Sequence, residues 1–291
     1  MINWSKFIEG SRNFLKSYIT DNKLKSCVIG ISGGIDSTIS CAIASPVCKE
    51  LNIPLIGRYL PTGTNKPEES KVALLVGTAF CTDFTSVSIQ KSCMNIIHEL
   101  ELNEGTITNL QKGNIKARLR MIYLRHLASI HKGIVLDNDN FTEWNLGFYT
   151  VGGDQFDINL GLHYLWKTEI YKLANFLLEE QNQSDKYQAL LASIKLIPTD
   201  GNGVSNSDCE QFGLDNYEQV DDVLKTMYYN DKFFEQWAEN KQIFKGPHPE
   251  YIRLIDSYNE QGVDKVMMLH QNTAYKREEL PIKPTKEELG L

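Results

Sequence analysis

Along the first 180 residues the hydrophobic pattern switches back and forth between two periods. Short apolar runs at 27–31, 54–60, 84–89 and 133–138 have the length and composition of buried strands. Between and after them, residues 37–51, 67–81, 114–132 and 166–180 carry apolar positions at the three-to-four spacing of a helix. In 114–132, Ile115, Leu119, Ile122 and Leu127 fall near one face. Near the start of the chain, Trp4, Phe7, Ile8, Phe14, Leu15 and Ile19 do the same, so the chain is expected to open on a helix. The stretch "PTDGNGVSNSDCEQFG" at 198–213 is rich in Gly, Asn, Asp and Ser and is expected to be a loop. Further helical segments and a polar, lysine-rich tail follow it.

Strand, helix, strand, helix predicts an α/β protein: a doubly wound parallel sheet with helices on both faces. Such sheets bind ligands beyond the carboxyl ends of their strands. The polar segments 32–38, 61–70 and 137–145 are therefore where chemistry is expected. No internal repeat and no linker divides the chain, so 1–291 is expected to form one domain.

Composition narrows the classes. The net charge of −7 over 291 residues argues against a protein that coats polyanions, while leaving room for a local cationic site. The six cysteines (27, 41, 48, 81, 93, 209) include no Cys-x-x-Cys pair and no zinc-ligand spacing. Cys27, Cys41 and Cys48 sit in apolar contexts, as small core residues of a reducing compartment do. No run approaches the roughly 18 apolar residues of a membrane span, and the first residues lack the pattern of a signal peptide. A cytoplasmic protein is expected.

The first strand ends in "VIGISGGIDSTIS", residues 28–40. Gly33 and Gly34 permit a tight turn and close backbone approach, Ser37 and Thr38 offer hydroxyls, and a helix begins at once. Free backbone amides at a helix start attract anions, phosphate above all. Neither the Walker loop nor the Gly-x-Gly-x-x-Gly fingerprint is present. A carboxylate at Asp36 would repel bare phosphate; it makes sense if a cation such as Mg²⁺ stands between them. A helix N-terminus that merely caps itself is the alternative reading.

The complete Ser32-Gly33-Gly34-Ile35-Asp36-Ser37 motif resembles the pyrophosphate loop of the N-type ATP pyrophosphatases, which cleave ATP between the α and β phosphates and adenylate a substrate. Within that group, "KGNIKARLRMIY" (112–123), "NDNFTEWNLGFYTVGGDQFDIN" (138–159), the segment 197–221 and "YKREELPIKP" (275–284) are similar, in order, to motifs of the ammonia-dependent NAD synthetases. That resemblance implies amidation of deamido-NAD by free ammonia, with ATP as co-substrate and Mg²⁺ as metal, in a homodimer that binds the dinucleotide across its interface. The opening helix and 114–132 are the candidate interface elements. No glutaminase domain is expected, and neither nucleic acid nor membrane is an expected partner. Carried over residue by residue, the resemblance puts ATP on Gly30, Ser32, Gly33, Gly34, Asp36, Ser37, Asn138, Lys167 and Thr199. It puts the metal on Asp36 and Glu143, catalysis on Asp36 and Lys167, and deamido-NAD on Asn114, Arg118, Asp157, Tyr275 and Lys276. The 61–70 segment resembles the family's flexible loop after the second strand.

Three positions depart from the family pattern. Asn138 replaces a threonine, Val151 replaces a lysine, and Tyr275 replaces a histidine. All three lie in the segments that name the substrate, while the first loop keeps its pattern whole. A sister ligase acting on another carboxylate, or a noncatalytic nucleotide-binding protein, would share the loop.

Overall fold

The computed structural model describes residues 2–155, 157–181, 184–199, 205–240 and 248–278. Its elements run α1 (Trp4–Asp21), β1 (Ser26–Gly30), α2 (Ile35–Glu50), β2 (Leu55–Tyr59), α3 (Pro67–Phe80), β3 (Asp83–Ser86), α4 (Gln90–Glu104), α5 (Asn109–Ile130), β4 (Gly133–Asp137), α6 (Phe141–Leu146) and β5 (Ile158–Asn159). Then follow α7 (Lys167–Glu180), α8 (Asp185–Lys195), α9 (Asp208–Phe212), α10 (Tyr217–Tyr229), α11 (Asp231–Asn240), α12 (Pro249–Ser257) and α13 (Glu260–Asn272). The chain divides into two compact units, 1–141 with 149–211, and 142–148 with 212–291.

The first unit holds the sheet. Its order is β3-β2-β1-β4-β5 and every pairing is parallel, as the alternating pattern predicts. The sheet's two faces follow from the two-residue period of a strand. Cys27, Ile29, Leu55, Ile134 and Leu136 point into a core shared with α1, α2, α3, α7 and α8. Val28, Ile56 and Val135 point the other way, onto Cys93 of α4 and Leu124 and Ala128 of α5. Helix α2 is buried on nearly all sides, which its small residues Ser40, Cys41, Ala42 and Ala44 allow.

Several elements differ from the sequence reading. Helix α5 starts at Asn109, five residues before the expected 114, because Thr108 and Gln111 form a capping box. Its buried stripe is Gly113, Ala117, Leu124 and Ala128, whereas Ile122 is 58% exposed. Leu119 and Leu127 pack partly buried beside that stripe, as expected, and Leu124 comes close to β1: a Cβ on Gly30 would lie 3.1 Å from Leu124 Cδ1. In α1, Ile8, Leu15 and Ile19 are buried as expected, but Phe14 is exposed. Strand β3 stops at Ser86 rather than 89, as an edge strand with only half its residues partly covered. The expected loop at 198–213 ends in helix α9, with Asp208 N–H donating to Pro198 C=O at 3.0 Å; residues 200–204 of that stretch lie outside the described residues. So do 279–284 of the expected "YKREELPIKP" motif, and the lysine-rich tail.

Five of the six cysteines are buried and Cys81 is half-buried. Hydrogen bonding to Cys48, with burial, pushes the Cys27 thiol far up, and burial does the same to Cys41. Both stay protonated, as core thiols do. Among the described residues no helix is long and apolar enough to cross a membrane.

The second unit is helical. Leu224 of α10, Leu254 of α12, and Val263, Val266 and Met267 of α13 form its buried centre, with Phe233 and Trp237 of α11. Gly262 and Gly213 lie so close that a Cβ on Gly262 would come within 2.2 Å of Gly213 O. Thr142 Oγ1 donates to the buried Asp221 Oδ1 at 2.5 Å, fixing the start of α6 to α10.

Candidate active site

At the carboxyl end of β1 the backbone turns through Ser32, Gly33 and Gly34 into α2. Gly33 has φ +87°, the left-handed region, and a Cβ there would sit 2.8 Å from Ala73 N and 2.9 Å from Glu69 O. Only glycine fits, because the loop lies directly on the backbone of α3. Ser32 Oγ accepts from Gly34 N–H at 3.1 Å and lies 3.1 Å from Ser37 Oγ. Ser37 and Thr38 both donate their hydroxyls to Gly34 C=O, at 3.1 and 2.9 Å. No side chain caps α2 at Gly34, so its first amides are left for a ligand, and the helix dipole favours an anion there.

Asp36 lies in the first turn of α2. Its Oδ2 lies 2.5 Å from Nζ of Lys167, the first residue of α7, and its Oδ1 accepts from Asn140 Nδ2 at 2.9 Å. Lys167 is 3% exposed, so the pair is held away from bulk water. A lysine at a helix start opposes the dipole, and Asp36 offsets that. Behind them Tyr171 is pushed up to about 12, chiefly by burial and against the pull of Lys167.

Thr199 reaches the same region through α3. Its hydroxyl donates to Glu69 Oε1 at 2.5 Å, while Glu69 Oε2 accepts from Lys66 N–H at 3.2 Å and caps the helix on which Gly33 rests. Asn138 keeps its Oδ1 buried with no hydrogen-bond partner among the described residues. Two of the residues expected at deamido-NAD gather on one segment: Thr150 Oγ1 donates to Asn114 Oδ1 at 2.8 Å, and Arg118 donates twice to Val151 C=O, at 3.3 Å each. The backbone of Val151 thus receives the arginine although its side chain has lost the family's cation. Asp157 spans a strand edge, accepting from Val135 N–H at 3.1 Å and pairing with Arg125 at 2.5 Å.

In the second unit, Glu143 sits in the first turn of α6. Tyr275 is exposed, and Lys276 donates from Nζ to Gly147 C=O at 2.6 Å. Of the 61–70 segment expected to be a flexible loop, 67–70 form the first turn of α3, while the preceding residues are held by hydrogen bonds. Buried Lys116 donates to Thr64 Oγ1 at 3.0 Å, and Arg120 Nε to Leu60 C=O at 3.3 Å.

The sequence reading missed Asn140 and Lys116. Asn140 stands in a stretch already marked as polar and post-strand, but nothing local separates it from Asn138. Lys116 sits one residue from an alanine of the packed face; the small-residue stripe of α5 was the signal that could have found it.

Among the described residues no three His, Cys, Asp or Glu side chains come together as a metal cage. Mg²⁺ takes one or two carboxylates together with phosphate oxygens. Asp36, a hard oxygen donor beside free helix amides, fits such an ion.

A parallel sheet whose first strand opens through Ser-Gly-Gly-x-Asp-Ser into a buried helix, with an Asp–Lys pair at its mouth, defines a nucleotide-binding α/β protein of the adenine nucleotide alpha hydrolase-like fold. Sequence comparison makes the assignment specific. A family model described as NAD synthase matches residues 7–280, and the chain belongs to that family. An NH(3)-dependent NAD(+) synthetase of Thermoplasma volcanium is 31% identical over 228 residues, covering 78% of this chain and 86% of the relative. One of Finegoldia magna is 30% identical, covering 77% and 85%. In fold the chain is similar to an NMN synthetase structure from Francisella tularensis (TM-score 0.72, 22% identity, 98% and 100% covered). It is also similar to an NH3-dependent NAD synthetase structure from Campylobacter jejuni (TM-score 0.68, 21% identity, 97% and 100% covered).

Proposed function

We propose that this protein amidates deamido-NAD with ammonia at the expense of ATP, giving NAD, AMP and pyrophosphate. Family membership along residues 7–280 supports the reaction. The observation that carries the site is the meeting of Asp36 and Lys167 at the mouth of the Gly33–Gly34 turn.

Hydroxide is a poor leaving group, so a carboxylate does not exchange with ammonia directly. In the first step the nicotinate carboxylate oxygen attacks the α-phosphorus, the α–β bridging bond breaks, and pyrophosphate leaves with the electron pair. In the second, ammonia attacks the acyl carbon, loses a proton, and AMP departs. Little covalent chemistry is asked of the protein; positioning and charge stabilisation dominate. The free amides of α2 with Ser32 and Ser37 hold the β and γ phosphates. Lys167 exchanges Asp36 for a phosphate oxygen as negative charge builds on the leaving group. Asp36 would hold Mg²⁺, with Glu143 as the second ligand that the resemblance supplies, and the ion would neutralise phosphate charge. Asn138 and Thr199 contact ATP, while Asn114, Arg118, Asp157, Tyr275 and Lys276 bind deamido-NAD. Arg118 suits a carboxylate or phosphate because its guanidinium offers a two-pronged donor.

The working form is a cytoplasmic homodimer with the dinucleotide across its interface. Met94, Leu102, Leu110 and Ile122 of α4 and α5 support it, as apolar side chains 60, 71, 65 and 58% exposed in the single chain.

The test is incubation with ATP, Mg²⁺, ammonium and deamido-NAD, where AMP and NAD form in equal amounts. Nicotinate mononucleotide, the acid whose amide names the Francisella protein, is the competing substrate to include. The departures at Val151 and Tyr275 are the reason to include it. ATP consumption with that acid alone makes the protein a sister ligase; nucleotide binding without pyrophosphate release makes it a binding protein. Efficient use of glutamine in place of ammonium overturns the nitrogen source.

A further inference from the structure

Asp36 has two anchors of different kinds. Lys167 is a cation on Oδ2, whereas Asn140 is a neutral amide on Oδ1. Asn140 is fully buried, with no exposure at all. Its backbone is fixed by a framework that does not involve Asp36. Asp139 N–H donates to Asp137 Oδ1 at 2.7 Å, closing a turn at the end of β4. Asn159 Nδ2 donates to Asp139 C=O at 2.9 Å, and Asn159 Oδ1 in turn accepts from Gly161 N–H and His163 N–H at 3.0 Å each. The ends of β4 and β5 thus hold the Asn140 amide where it meets the first turn of α2.

We propose that Asn140 is a positioning residue that keeps the Asp36 carboxylate aimed for Mg²⁺ once Lys167 has moved to phosphate. The inference rests on the proposed role of Asp36. When the lysine leaves, a carboxylate with no second anchor is free to rotate about its side-chain torsions. A cationic anchor at 140 would hold it still but neutralise the charge that attracts the metal. An amide fixes one oxygen and leaves the charge intact, with the remaining lone pairs open to a cation.

The experiment compares Asn140→Ala and the isosteric Asn140→Asp with the unaltered protein. Thermal unfolding reports folding, and calorimetry measures ATP affinity with and without Mg²⁺. Steady-state kinetics then separate kcat from the KM of each substrate. Loss of one hydrogen bond to a charged group predicts a roughly tenfold rise in the Mg²⁺ concentration for half-saturation in Asn140→Ala. Metal-free ATP affinity stays within about twofold in the same variant, since the phosphate loop is untouched. The KM for deamido-NAD does not change. If Asn140→Ala fails to fold, Asn140→Asp, which keeps the shape and lacks the donor, must show the altered Mg²⁺ dependence. Folded variants with unaltered Mg²⁺ half-saturation overturn the proposal, and so does ATP binding that is independent of Mg²⁺ in the unaltered protein. Failure to turn over deamido-NAD overturns the proposed reaction, while calorimetry still reads Asn140.

Discussion

Lys167 Nζ lies 2.5 Å from Asp36 Oδ2, which joins the start of α7 to the start of α2 across the ends of β1 and β4. The two side chains pair in a largely buried place, and each is assigned a role toward ATP. Lys167→Met retains the bulk and removes the charge. Its kcat/KM for ATP is expected to fall about 10²–10³-fold, the usual effect of losing a preorganised charge on a transferring phosphoryl group. Asp36→Asn should fall by a similar factor, and the double variant should be little worse than either alone, because the two act as a unit. Pyrophosphate release measures all three, and a Lys167→Met enzyme within twofold of the unaltered one would remove the lysine from the site.

Gly33 and Gly34 are neighbours with opposite tolerances. Gly33 combines φ +87° with backbone atoms of α3 at 2.8 and 2.9 Å from any added Cβ. Gly34 has φ −66°, and a Cβ there would meet only Ser32 Oγ, at 3.2 Å. Gly33→Ala should destabilise the fold by about 1–3 kcal/mol and weaken ATP binding with it. Gly34→Ala should leave the melting temperature nearly unchanged, since only a hydroxyl has to shift. Thermal unfolding of the two variants side by side decides, and equal losses would refute the packing argument.

The sheet and its first loop were legible in the sequence because both are local. Strands β1 and β4 are short, largely apolar runs and β2 is one interrupted by Arg58, and the Ser-Gly-Gly-x-Asp-Ser stretch carries its own turn and helix start. Helix α5 was harder to read. Of its expected face, Leu119 and Leu127 pack partly buried on the core, but Ile122 is exposed, and the fully packed positions include Leu124 and Ala128, which the bulky residues alone did not mark. Asn140 meets Asp36 from 104 residues away, and Lys116 meets Thr64 from 52, so no window of sequence could pair them. Strand β5, with two residues, is too short to carry a period.

Asp137 predicts a pH effect. Burial, with help from Asp154, pushes its carboxyl up to about 7 against the opposing bond from Asp139 N–H. An unfolded aspartate titrates near ~3.9, so the folded state holds the proton more tightly. The group's stabilising contribution is therefore full below ~3.9 and is lost as pH rises through about 7. Asp137→Asn still accepts from Asp139 and carries no charge. It should raise stability at pH ~8 by on the order of 1–4 kcal/mol and change it little at pH ~4. Denaturant unfolding at the two pH values checks this; an equal shift at both would exclude titration of Asp137 as the cause.

Lys116 predicts a local effect instead. Its buried ammonium ties Thr64 to α5, alongside the Arg120 bond to Leu60 C=O. Lys116→Met keeps the stem packed and removes the donor. Global stability should change by no more than about 1 kcal/mol, while amide exchange in residues 62–65 should quicken roughly tenfold as the loop opens locally. Unchanged exchange there would mean that the other contacts suffice to hold the loop.

His270 carries the opposite sign from Asp137, in the other unit. Its Nδ1 lies 2.9 Å from Asn145 C=O, and its ring meets Phe234 edge-on at 5.2 Å. Burial, then the nearby Arg277, push the imidazole down to about 4, and the Asn145 carbonyl only partly opposes them. An unfolded histidine titrates near ~6.5, so the folded state resists protonation. The stabilisation is present above ~6.5 and is lost as pH falls toward about 4. The helical second unit should therefore loosen in mild acid, by on the order of 1–3 kcal/mol from this group. His270→Asn places an amide donor near the Nδ1 position and cannot take up the proton. Its unfolding free energy should be slightly lower than that of the unaltered protein at pH ~8 and should decline less between ~6.5 and ~4.5. Hydrogen exchange of α13 across that range is the direct readout. A variant whose α13 protection falls as steeply with acid as the unaltered protein's would show that His270 is not the group being titrated.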